Sequence, residues 1–168
     1  IIMAAYNAEK TIEQAISSVL NQTYPNFELL VVNDCSKDRT AEIVGRLAER
    51  DSRVRLISNP KNSGVSYTRR HGLEGAKGAW IAILDSDDAW APEKLEKQIA
   101  LQKKVKADLL FTGSAFMDTD SQPIDWYLRA PVEVTYRQLL KQNVLSNSSA
   151  LVRKELYAKH YAVGDGMH

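Results

Sequence analysis

The chain has 168 residues, 44% hydrophobic and 26% charged, and its 22 basic and 21 acidic side chains leave a net charge of +1. This length suits one domain with a real core, and the near-zero charge excludes a global field that would draw the chain to nucleic acid or anionic lipid. A single cysteine, Cys35, excludes an internal disulfide and favours a reducing compartment; the apolar runs fall far short of the roughly 20 residues that cross a bilayer.

Ile1 to Ala5 reads as a strand already under way, and His168 follows the loop Gly164-Asp165-Gly166-Met167, so a piece of a longer chain is expected. Ile12, Ala15, Ile16, Val19 and Leu20 recur at helical spacing, with Asn7 as candidate N-cap and Tyr24-Pro25-Asn26 as the stop. Phe27 to Val32 is a near-continuous apolar run, the mark of a strand buried on both faces. Thr40 to Arg50 is predicted helical, with Ile43, Val44 and Leu47 inward; Val54 to Ile57 is a short strand; Val65 to Lys77 is a helix ending at Gly78. Trp80 to Leu84 is a second buried strand, Pro92 suits the first turn of a helix running to about Val105, and Leu109 to Thr112 is another strand. Beyond that the rhythm breaks. Asp118 to Pro123 is turn chemistry, Thr135 to Gln138 a capping box, Ser148 to Val152 a strand and Lys154 onward a short helix.

The first 112 residues thus alternate strand and helix, which implies an α/β sandwich with a mostly parallel central sheet. The change near residue 113 divides one domain, 1–168, into two half-sites, 1–112 and 113–168.

Ligands of open parallel sheets bind beyond the carboxyl ends of the strands. Ala5-Tyr6-Asn7, Asn33-Asp34-Cys35-Ser36, Asn59 to Gly64 and Asp85-Ser86-Asp87-Asp88 all fall at such ends. Three carboxylates within residues 85–88 repel one another, and a hard cation such as Mn²⁺ or Mg²⁺ relieves that repulsion. The competing reading is a set of caps or solvated acids. Asp118-Thr119-Asp120 also fits Asp-x-Asp, but it lies beside Ser121-Gln122-Pro123 and reads as a surface turn. Asp34 can accept from a base N–H or a ribose hydroxyl, or simply cap a helix. Arg69 and Arg70 suit phosphate or a base edge, or solvent. No dinucleotide fingerprint, Walker lysine loop, zinc spacing or nucleophile elbow occurs.

In this order, Ala5-Tyr6-Asn7, Asn33-Asp34-Cys35-Ser36, Asn62-x-Gly64-Val65-Ser66-x-x-Arg69, Gly78-x-x-Ile81 and Leu84-Asp85-Ser86-Asp87-Asp88 resemble glycosyltransferase family 2, closely to about Pro92 and loosely at Leu151 to Lys154. The resemblance implies the Rossmann-like GT-A fold and metal-assisted, inverting transfer from a nucleotide-diphosphate sugar, commonly a UDP-sugar, to a saccharide or lipid-linked acceptor, with 1–112 as the nucleotide-sugar-binding half and 113–168 as the start of the acceptor-binding half. It implies that Ala5, Tyr6, Asn7 and Asp34 hold the uridine and that Arg69 sits near base and phosphates. Asp85 would touch ribose or metal water, and Asp87 would bind Mn²⁺ or Mg²⁺. Cys35 stands where the family usually has Gly, and Arg70 and His71 where it has smaller residues. The family's Glu-Asp base pair is expected beyond His168, because Asp165 between two glycines is loosely held. A nucleotidyltransferase is disfavoured by Tyr6-Asn7-Ala8-Glu9 in place of a Gly-rich phosphate loop; a non-catalytic nucleotide-sugar-binding module is the reading from another class. The expected location is cytoplasmic, either free or peripheral at the cytoplasmic membrane face.

Strand context and bare motif make different predictions. Asp87→Ala should abolish metal-dependent nucleotide binding in a metal titration, whereas Asp118→Ala and Asp120→Ala should leave it nearly unchanged. Equal losses from both pairs would show that position at a strand end carries no information.

Overall fold

The computed structural model describes residues 1–118 and 122–161. Its elements in order are β1 (Ile2–Ala5), α1 (Ile12–Leu20), β2 (Leu29–Asn33), α2 (Thr40–Arg50), β3 (Val54–Ser58), α3 (Gly64–Gly75), β4 (Trp80–Ala82), α4 (Lys94–Val105) and β5 (Leu109–Leu110). A hairpin of β6 (Ser114–Met117) and β7 (Pro123–Leu128) follows, then α5 (Tyr136–Lys141), a 3₁₀ turn at Asn147–Ser149, β8 (Leu151–Arg153) and α6 (Lys154–Tyr161).

β2 pairs in parallel with β1 and β3, Leu30 lying opposite Ile2 and Arg55. On its other side β1 meets the end of β4, where Ile2 bridges Ile83 in parallel and the Leu84 N–H donates to the Ile2 carbonyl. β8 is antiparallel to both β4 and β5 and lies between them. The spatial order is therefore β3-β2-β1-β4-β8-β5, in which β8 alone runs against the rest. The carboxyl ends of β1 to β5 consequently share one edge.

Side-chain alternation builds a core on each face. Met3, Leu29 and Val31 point one way, into a cluster with Ile12, Ile16, Val19, Ile43, Val44 and Leu95 from α1, α2 and α4. Ile2 and Leu30 point the other way, to Leu73 of α3, with Tyr157 of α6 packed alongside. The result is the expected α/β/α sandwich.

Several expected boundaries shift. Asn7 does not cap α1: the helix begins after Thr11, and Asn7 has φ 50°, with its side chain bound elsewhere. β2 starts at Leu29 rather than Phe27, where the Pro25 carbonyl accepts from the Phe27 N–H in a turn. α3 ends at Gly75, α4 begins at Lys94 rather than Pro92, and the expected strand from Ser148 opens instead as a 3₁₀ turn. The capping box is present: Thr135 accepts from the Gln138 N–H while the Gln138 side chain accepts from the Thr135 N–H. The hairpin was not anticipated beyond its turn, and residues 119–121 of that turn lie outside the described residues.

α3 lies close against the sheet because Gly72 has no side chain. A Cβ there would stand 2.6 Å from Ile2 Cγ2 and 3.1 Å from Val32 Cγ2, both on fully buried residues. Gly45 in α2 has open space around the same position. Gly72→Ala should therefore lower unfolding free energy by about 1–3 kcal/mol through overpacking, while Gly45→Ala should raise it by about 0.5–1 kcal/mol through helix propensity. Urea denaturation of the two variants measures both signs.

Candidate functional site

Two loops at the carboxyl edge are stitched together. The Asn7 N–H donates to Ser36 Oγ at 3.0 Å, and Asn7 Oδ1 accepts from the Lys37 N–H at 2.8 Å. The Ala8 N–H donates to Thr40 Oγ1, and the Glu9 N–H to Asp38 Oδ2. The Asp34 N–H donates to the Ala5 carbonyl at 2.8 Å. Asn7 can serve both loops because a left-handed conformation turns its backbone there, which Asn tolerates better than most residues. Cys35 is left-handed too, at φ 60°, the conformation for which glycine is best suited.

Asp34 lies beneath this surface, 4% exposed. Its Oδ1 accepts from Asn59 Nδ2 at 2.8 Å and the Ser63 N–H at 2.9 Å; its Oδ2 accepts from the Gly64 N–H at 2.9 Å. It thereby fastens the start of α3, where Gly64 supplies φ +82°. Burial pushes the Asp34 carboxyl up, but hydrogen bonds from Asn59, Ser63, Gly64 and Thr68 outweigh it and hold the group below the usual carboxylate range.

The acidic turn follows β4. The Asp88 N–H donates to the Asp85 carbonyl, closing a tight turn. Asp85 Oδ1 takes Arg69 Nη2 at 2.5 Å, and Arg69 Nε is buried with no hydrogen-bond partner. Asp87 is exposed. Asp88 points inward, where Ser148 Oγ donates to its Oδ2. Burial pushes the Asp88 carboxyl up, with the Asp87 and Asp85 charges adding to the rise and the Ser148 hydrogen bond opposing it.

A cleft of about 400 Å³ joins these parts, lined by Tyr6 and Asn7 from the first loop, Val65 and Arg69 from α3, and Asp85 and Asp87 from the turn. Of the residues expected in the site, Tyr6, Asn7, Arg69, Asp85 and Asp87 therefore come together. Ala5 is buried in β1 and Asp34 is engaged below; neither lines the cleft. Among the described residues, no three His, Cys, Asp or Glu side chains form a metal cage. Asp165 and Asp120 lie outside the described residues. Ser148 was missed, since nothing in the run Ser146-Asn147-Ser148-Ser149, about 60 residues downstream, signals contact with the acids.

The family model for glycosyl transferase family 2 matches residues 1–160. The chain belongs to that family. It is 36% identical over 155 residues to TuaG of Bacillus subtilis, a glycosyltransferase named for teichuronic acid biosynthesis, covering 92% of this chain and 62% of that one. It is 43% identical over 141 residues to WfgD of Escherichia coli, a UDP-Glc:alpha-D-GlcNAc-diphosphoundecaprenol beta-1,3-glucosyltransferase, covering 84% and 54%. Among solved structures it superposes on S. aureus TarS in complex with UDP-GlcNAc with TM-score 0.79 and 27% identity, covering 95% of this chain and 46% of that one. This family 2 chain thus spans little more than half the length of the curated relatives it matches.

Asp34 yields a pH test. A carboxyl held low in the folded state stabilises above its unfolded value, near pH 4, and that stability is lost as pH falls through the lower native value. Asp34→Asn should cost about 1–3 kcal/mol at pH 7, because a donor amide replaces a carboxylate oxygen among N–H groups. The gap between variant and parent should close as the pH drops below 4 in acid-titrated thermal melts. A gap independent of pH would show that the Asp34 charge is not what fastens α3.

Proposed function

We propose that this chain binds a nucleotide-diphosphate sugar, most simply a UDP-sugar, in the cleft between Tyr6, Arg69 and the Asp85–Asp88 turn, and takes part in moving its sugar to an acceptor hydroxyl with inversion. The observation that carries this is the convergence of Arg69, Asp85 and Asp87 with Tyr6 and Asn7 around one cleft at the carboxyl edge of the sheet. Tyr6, 49% exposed, offers a ring face for a base. Arg69 brings a buried Nε without a partner, a donor suited to a ribose or phosphate oxygen. Asp34 and Ala5 support the nucleoside end indirectly, by fixing the loops on which Tyr6 and Asn7 stand.

The donor set suits a hard cation. Such ions are commonly held by one or two carboxylates and complete their shell with substrate phosphates and water. Asp87 would be the main ligand and Asp85 the second, for Mn²⁺ or Mg²⁺. When bound, the cation supplies neutralisation of the negative charge that gathers on the departing diphosphate. In the transfer, the bond from anomeric carbon to diphosphate oxygen breaks as the acceptor oxygen bonds from the opposite face. The acceptor proton passes to a carboxylate base, expected beyond His168. The names of the relatives support a saccharide or lipid-linked acceptor in polysaccharide or glycoconjugate assembly. Among the described residues no helix is long and apolar enough to cross a membrane.

Thermal unfolding tests the reading. UDP at about 100 times its dissociation constant stabilises by roughly 2.7 kcal/mol, or roughly 5–10 °C in Tm for a chain of this size. The shift should be clear with Mn²⁺ or Mg²⁺ and modest after EDTA. A larger shift from GDP or ADP would overturn the uridine assignment, and indifference to EDTA would overturn the metal assignment.

A further inference from the structure

Ser148 lies about 60 residues beyond the acidic turn, in the 3₁₀ turn that leads into β8, and is 8% exposed. Its hydroxyl is used twice. Oγ accepts from the Asp85 N–H at 3.1 Å and donates to Asp88 Oδ2 at 2.5 Å. Its backbone is held as well: Trp90 Nε1 donates to the Ser148 carbonyl at 2.7 Å, and Gln98 Nε2 to the Ser149 carbonyl at 2.9 Å. Trp90 and Gln98 are themselves buried, so α4 and the strand entry form a fixed block against the turn.

A hydroxyl that accepts from one end of a turn and donates to the other sets the orientation of both. Asp85 is drawn toward Arg69 on α3 while Asp88 is drawn inward to Ser148. Asp87 is left exposed and lines the cleft. We propose that Ser148 is a positioning residue for the acidic turn: its hydroxyl holds Asp88 away from the cleft and Asp85 in line, so that Asp87 faces the cation and diphosphate of the donor. The inference rests on the donor-site reading above. It ties the segment after residue 113 to donor binding, because the residue that shapes the metal-facing turn enters from that segment.

The test is UDP-linked thermal stabilisation of the protein as a function of Mn²⁺ concentration, with UDP affinity measured separately in EDTA. Loss of a group that orients a metal ligand typically costs 10–100-fold in metal affinity. Ser148→Ala should raise the Mn²⁺ concentration at half-effect by roughly that factor and leave metal-free UDP affinity within about twofold. Ser148→Cys, which keeps the packing volume but hydrogen-bonds weakly, should rise in the same direction and serves if the alanine variant folds poorly. Ser148→Thr, which keeps the hydroxyl, should restore the parental midpoint. Midpoints within about twofold of the parent in both the alanine and cysteine variants would overturn the inference while leaving the donor site standing. So would an equal loss of metal-free UDP affinity, which marks a merely structural role. Absence of any Mn²⁺ effect in the unsubstituted protein would overturn the metal assignment at the donor site, and this inference with it.

Discussion

Repulsion among Asp85, Asp87 and Asp88 is the constraint around which the carboxyl edge of this sheet is organised. Two unit charges 6 Å apart repel by about 3 kcal/mol at an effective dielectric of 20, and here three carboxylates share one turn. The fold relieves this by sending each in a different direction. Asp85 pairs with Arg69, Asp88 accepts a hydrogen bond from the Ser148 hydroxyl, and Asp87 keeps to solvent. Each solution draws on a different part of the chain: α3 for Arg69 and the entry to β8 for Ser148. The position of α3 depends in turn on the absence of a side chain at Gly72 and on the grip of Asp34 on the backbone of Ser63 and Gly64.

The same economy of hydrogen bonds explains why buried polar residues cluster under the cleft. Asn33, Asp34, Asn59 and Thr68 are all buried beside the ends of β2 and β3. Their partners are loop N–H groups and each other: Asn59 Nδ2 donates to both Asp34 and Thr68, and Ser36 donates its N–H to Asn33 Oδ1. Loops at a strand edge carry backbone groups that no ladder satisfies, and buried groups left unpaired are costly. Short polar side chains meet that need and fix the loops. These bonds tie together the loops on which Tyr6 and Asn7 stand.

Much of the architecture was legible because periodicity reports burial. Helical spacing at Ile12, Ala15, Ile16, Val19 and Leu20, and the apolar runs at Phe27 to Val32 and Trp80 to Leu84, identified elements whose side chains are mostly buried, with Leu20, Phe27, Glu28 and Trp80 partly so. Boundaries were less legible where an end is set by partners far away. Asn7 reads as a cap from its neighbours alone, yet its side chain goes to Lys37 across the sheet edge. Phe27 reads as strand, but the partner of β2 on the β3 side begins at Val54, opposite Leu29. Strand entry after residue 147 was placed too early, because the Ser148 hydroxyl and the Ser148 and Ser149 carbonyls answer to Asp88, Trp90 and Gln98 rather than to a ladder.

The sequence by itself determined the alternating α/β plan, the family resemblance and which residues end at the reactive edge, because hydrophobic period and order along the chain are local properties. Only the tertiary structure decided how those residues divide their work. It separated Asp34, buried and committed to α3, from Tyr6, Asn7, Arg69, Asp85 and Asp87, which line the cleft. It inserted β8 between β4 and β5 and so brought Ser148 to the acids. The physical reason is that a carboxylate, a guanidinium and a hydroxyl take their roles from the partners within about 3 Å, and partners drawn from positions 69, 85, 88 and 148 become neighbours only when the sheet is assembled.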